Sequence, residues 1–233
     1  MRRLLPANTL LCFSPAVMVI TIIIELALAV WVLLRYGCDR PRRLILALLV
    51  LLAAFQFAEY NVCGSPSPTL LWSRFGYVCI TLLPALGLHL ASLLRGGRAR
   101  GLVIAGYALA IAFAATFAGA PVIVNTPVCT GNYVIFNLAQ PLSQWYAFYY
   151  FGLEAAGLVV ALQPIKRATN RLAARWLALA YGCIMLPTLV LFMVLPSTRA
   201  AVPSIMCGFA VLYALIIGLR VAPLAATSPV RSK

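Results

Sequence analysis

The chain has 233 residues, 64% hydrophobic and 9% charged, with 18 Lys and Arg against 4 acids for a net charge of +14. A soluble domain carries about a quarter charged residues. A water-soluble fold could not hide this much apolar surface, whereas a bilayer can. In a soluble protein the basic excess would suggest nucleic acid. Here it falls in short clusters between apolar runs, the pattern that encodes membrane topology, so membrane lipid is the expected partner and nucleic acid is not.

Seven apolar stretches follow one another at about 15–35, 42–60, 71–94, 101–120, 143–164, 174–195 and 202–222, each bounded by charge, Pro or Gly clusters. Backbone polar groups in lipid must be satisfied within their own segment, so long continuous runs are helices. A β-barrel would show short alternating segments. The expectation is an all-α polytopic membrane protein, a seven-transmembrane-helix bundle over 1–222 with a short tail at 223–233.

The first run follows Met1-Arg2-Arg3, a start that could suggest a signal peptide. No small-residue cleavage site precedes Pro15, so the N-terminus is expected to stay in the mature protein. After the first run come Arg35, Arg40, Arg42 and Arg43; after the third, Arg95, Arg98 and Arg100; after the fifth, Lys166, Arg167, Arg171 and Arg175; after the last, Arg220, Arg231 and Lys233. Only Arg2, Arg3, Arg74 and Arg199 fall on the other side. The positive-inside rule puts the N-terminus outside and the C-terminus in the cytoplasm.

Between the second and third runs, Glu59 and Arg74 flank an outer loop and are expected to pair, with Gln56 on the same helix face as Glu59. That loop carries Cys63. The longest connection, about Pro121 to Ser143, is also outer and carries Cys129 among Asn125, Thr126, Thr130, Gly131, Asn132 and Tyr133. An oxidising exterior makes a Cys63–Cys129 disulfide plausible; the alternative is two reduced thiols near the interface. In the fourth run Gly106, Ala110, Ala114 and Ala118 make a small-residue stripe, suited to packing inside the bundle or to a homo-oligomer seam.

Ionisable residues inside a membrane are costly and by default suggest function. Glu25 lies near the middle of the first run, Glu154 near the middle of the fifth, and His89 in the inner third of the third. Each glutamate could bind a cationic ligand, accept a proton or hydrogen-bond a neighbouring helix. Tyr150 and Phe151 share the helix face of Glu154. With Trp145 they could line an aromatic pocket opening outward, or they could belong to an interfacial aromatic belt.

Other chemistries lack their residues. One His cannot build a zinc hydrolase site or a bis-His haem, and no Lys lies in the core for a retinal Schiff base. No phosphate-binding loop is present. No catalytic residue, metal or cofactor is expected, and the chain does not read as an enzyme.

Phe55-Gln56-Phe57-Ala58-Glu59-Tyr60, Trp72-Ser73-Arg74-Phe75-Gly76-Tyr77 and Leu83-Pro84-Ala85-Leu86-Gly87-Leu88-His89 together resemble part of the seven-helix membrane region at the N-terminus of some bacterial histidine kinases. The matching positions are Glu59, Trp72, Arg74 and Pro84. The resemblance implies a sensor-like scaffold in a bacterial plasma membrane. That family region usually precedes a cytoplasmic output domain, and here only about a dozen residues, Val221 to Lys233, follow the last run. A signal would then pass to a separate membrane or cytoplasmic protein. The rival readings are an accessory subunit of a larger membrane complex, and a small transporter or proton pathway using Glu25, Glu154 and His89.

Overall fold

A computed structural model describes residues 15–64, 69–121, 128–129, 134–135, 138–164, 168–194 and 202–225. The helices are α1 (Pro15–Tyr36), α2 (Arg40–Gly64), α3 (Thr69–Leu94), α4 (Arg100–Gly119), α5 (Leu142–Leu162), α6 (Ala168–Val194) and α7 (Val202–Ile216). Beyond Ile216 the last helix continues as a π-helical turn, Ile217–Val221, and ends in one α turn, Ala222–Leu224. Seven of the described helices are long and apolar enough to cross a membrane, the signature of an integral membrane protein. Their outer surface agrees, because residues as apolar as Ile23, Leu34, Ile111 and Leu186 stand exposed on it.

The sequence forms helices here for reasons that water would not supply. α1 contains Ile22-Ile23-Ile24, poor helix formers in water. In lipid the intrahelical hydrogen bond is the only partner that the backbone has. The same argument lets α3 run through Pro84 and α6 through Pro187. α1 and α3 end where left-handed glycines close them. Gly37, at φ 73°, donates its N–H to Leu33 O after α1; Gly96 and Gly97, at φ 77° and 81°, donate to Leu93 O and Ser92 O after α3. Asp39 then opens α2, its carboxylate accepting from the Arg42 backbone N–H and pairing with the Arg42 guanidinium at 2.9 Å.

α3 is the most enclosed of the spans and α4 the least. α3 packs on α2, α4, α5 and α6, and α7 closes the bundle against α6 and α1. α6 starts six residues before the apolar run that reveals it, because Asn170, Arg171 and Arg175 continue the helix into a polar zone. Asn170 is buried there and donates to Leu94 O at the foot of α3.

The arginine-rich segments gather at one end. Arg42 donates to Ala222 O, and the Arg220 guanidinium lies 5.2 Å from the Trp176 ring centroid. At the opposite end, two short antiparallel strands, β1 (Val128–Cys129) and β2 (Val134–Ile135), pair in the α4–α5 connection. A disulfide joins Cys63, at the end of α2, to Cys129 in β1, with 5.8 Å between Cα atoms. The remaining polar residues of that connection, Asn125, Thr126 and 130–133, lie outside the described residues, as do the basic residues Arg2, Arg3, Lys166, Arg167, Arg199, Arg231 and Lys233.

Candidate functional site

The polar residues singled out by sequence separate into distinct places. Glu25 on α1, Glu59 on α2 and Glu154 on α5 are all buried, at 0%, 0% and 6% exposure. Neither oxygen of Glu25 or Glu59 has a hydrogen-bond partner, nor has Oε2 of Glu154. The Ser204 hydroxyl on α7 stands beside the Glu59 carboxyl. Glu154 and, on α7, Cys207 line one cavity. Gln56 closes the same region by donating its side-chain N–H to Cys207 O across the α2–α7 contact, at 3.2 Å.

Below this region α2, α3, α5, α6 and α7 enclose a small cavity of about 30 Å³. Glu154, Tyr150, Tyr181, Tyr213 and Cys207 contribute its polar wall, and Pro84 its apolar side. Tyr181 owes its place to two absent side chains. A Cβ on Gly87 of α3 or on Gly157 of α5 would overlap its hydroxyl. That hydroxyl is itself buried without a partner. Two unsatisfied buried polar groups at one cavity are unusual, since such groups nearly always find partners. The fold leaves Glu154 and Tyr181 short of one donor and one acceptor, which a water molecule would complete, while a small cation would satisfy the oxygen lone pairs only. A cavity of about 30 Å³ has room for ordered water.

The aromatic run on α5 divides by helical period. Trp145 and Phe148 turn outward, at 64% and 75% exposure, in the manner of lipid-facing residues. Tyr146 and Tyr149 turn inward, where Tyr146 OH meets Thr81 Oγ1 at 3.1 Å and Tyr149 OH donates to Thr81 O at 2.6 Å. They pack with Tyr77, Phe113 and Phe117 into an aromatic core between α3, α4 and α5. Tyr150 reaches the cavity; Phe151 is half-buried and packs against the core without lining it. Of the two alternatives the sequence leaves open, Trp145 suits the lipid-facing belt: it faces away from the cavity that Tyr150 lines, because positions five apart on a helix differ in direction.

The expected Glu59–Arg74 pair does not form. Arg74 donates to Ala118 O and Ala120 O at the end of α4, both at 3.4 Å, where the helix dipole favours a cation. Glu59 points the other way, toward α7. His89 is remote from both. Its Nδ1 lies 3.0 Å from Tyr107 OH on α4, and it lines a cavity at the arginine-rich end. Gly106 and Ala110 of the small-residue stripe are buried inside the bundle, Gly106 against Leu153, while Ala118 is exposed. Among the described residues no group of three or more His, Cys, Asp or Glu is placed to hold a metal ion.

Sequence reasoning missed Cys207, Tyr181 and Tyr213. Nothing distinguishes a lone Cys or Tyr in an apolar run until the helix opposite it is known.

No family model, curated protein or solved structure matches the chain. The likeness to histidine-kinase membrane regions rests on the residues quoted for it alone.

Proposed function

We propose that the chain is a non-enzymatic seven-helix membrane protein of a bacterial plasma membrane, a sensor-like scaffold with its N-terminus outside. It passes a signal from the bundle to a separate partner protein at its cytoplasmic, arginine-rich end. The observation that carries this reading is the unsatisfied Glu154–Tyr181 pair at a cavity walled by five helices. A bound group there touches α2, α3, α5, α6 and α7 at once. The cavity takes only a water-sized guest as it stands, so a larger cationic ligand binds an arrangement with the helices parted. Differential affinity for two arrangements is what converts binding into a shift of shape. Pro84 on the cavity wall and the π turn of the last helix are places where such a shift is absorbed.

The test is cross-linking in the native membrane followed by purification in mild detergent, on the wild type and Glu154→Gln. Capture of a separate signalling protein, such as a kinase or cyclase, in an amount changed by Glu154→Gln supports the sensor. A stoichiometric complex with other membrane subunits, unchanged by that variant, replaces it with the accessory-subunit reading.

A second reading is favoured by the three carboxyls buried in the bundle. A proton or cation pathway needs such groups, here Glu25, Glu59 and Glu154, with His89 standing apart. The double variant Glu25→Gln/Glu154→Gln should then abolish flux in proteoliposomes; flux equal to wild type eliminates the pathway.

A further inference from the structure

Three arginines at the α3–α4 turn, Arg95, Arg98 and Arg100, have no carboxylate to answer them. The chain holds four acids. Asp39 is taken by Arg42, and Glu25, Glu59 and Glu154 are buried in the bundle. Two cavities flank the first turn of α4. One, of about 460 Å³, is lined by Arg95, Arg98, Gly101, Leu102, Val160 and Gln163, among others. The other, of about 310 Å³, includes Arg40, Arg100, His89 and Ser92 in its wall. No acid lines either.

The larger cavity has the marks of an anion site. Arg95 Nε is buried at its edge with no hydrogen-bond partner. α4, 20 residues long, begins there without a side-chain cap on Ala99, so its first N–H groups have no intrahelical acceptor. Gly101 leaves that first turn open, since nothing lies within 4 Å of where its Cβ would be. Charge-assisted bonds from guanidinium and from helix N–H groups suit a phosphate. The flank identifies what carries the phosphate. Leu102, which lines the cavity, and Val159 and Leu162, next in sequence to its lining residues Val160 and Gln163, stand 44%, 56% and 64% exposed, an apolar surface that a free ion would not use and an acyl chain would.

We infer that the cavity between Arg95, Arg98 and the α4 N-terminus binds the phosphate of an anionic phospholipid of the inner leaflet, its acyl chains lying along Leu102, Val159 and Leu162. Basic pockets between transmembrane helices are suited to such headgroups. The inference depends on the membrane reading and not on the sensor function.

The experiment is native mass spectrometry of the full chain released from nanodiscs of phosphatidylglycerol mixed with phosphatidylcholine. Preferential retention of one phosphatidylglycerol is expected, and Arg95→Gln/Arg98→Gln should weaken it about 25-fold. Arg98→Gln alone, at an exposed position outside the bundle core, should weaken it about fivefold. The charge-matched control Arg35→Gln/Arg43→Gln, also at exposed positions, should leave retention unchanged. An equal loss in the control reduces the effect to bulk surface charge and overturns the site. Binding of inorganic phosphate with no preference between the two lipids overturns the lipid assignment.

Discussion

Tyr181 on α6 occupies space that Gly157 on α5 leaves vacant, with the phenol hydroxyl seated where a side chain would begin. The contact fixes how closely these two helices approach and holds one wall of the central cavity. Gly157→Ala should destabilise the bundle by about 2 kcal/mol, because overpacking a close contact displaces a ring with nowhere to go. Tyr181→Phe should change stability by less than about 0.5 kcal/mol, since the hydroxyl removed has no partner to lose. Unfolding followed by circular dichroism in detergent checks both. A large loss in Tyr181→Phe would mean that the hydroxyl is satisfied by a bound group.

Gln56 should matter modestly. Its bond to Cys207 O is a single interhelical hydrogen bond, and such bonds in membrane proteins average about 0.6 kcal/mol. Gln56→Leu keeps the volume and loses the bond. A similar loss in the same unfolding experiment is expected, with the helix content of the folded state unchanged.

Glu59 and Arg74 should be energetically independent. A double-mutant cycle with Glu59→Gln and Arg74→Gln is expected to return a coupling below about 0.5 kcal/mol. A coupling well above that would restore the ion pair that the geometry denies.

The cysteines offer a map of orientation. Cys63 and Cys129 are joined at one end of the bundle, and free Cys38 is exposed at the arginine-rich end. In intact cells a membrane-impermeant maleimide should label neither end until a reductant opens the disulfide, after which Cys63 and Cys129 react. Cys38 should react only in inverted vesicles. Labelling of Cys38 from outside would reverse the topology drawn from the positive-inside rule.

Sequence made the helices legible and left their rotations obscure. Charge and Pro or Gly clusters bracket each span, so seven elements can be drawn within a few residues. α6 departs most, because its first turns carry Asn170, Arg171 and Arg175 and hide under their polarity. What hydropathy cannot encode is which face of a nearly uniform apolar helix turns inward. Glu154 was visible because a carboxylate in an apolar run is conspicuous. Its companions Tyr181, Tyr213 and Cys207 were not, because each becomes polar wall only through what packs across from it. Trp145 and Tyr146 show the same limit. Adjacent aromatics look alike in a string, yet one is 64% exposed and the other 5%.

The five-residue widening at Ile217–Val221 gives the last helix one more residue than an α-helix of the same length would hold. The surplus residue is taken up within the widened turn, so the Ala222 carbonyl that receives Arg42 from α2 keeps the position it would have on an uninterrupted α-helix. Deleting Gly218 would close the coil to α geometry and leave that carbonyl within reach, whereas deleting a residue from the α-helical part of the span would swing the remaining turn by about 100°. The seam between the first hairpin and the end of the bundle therefore tolerates the loss of a residue at one place and at no other along the last helix.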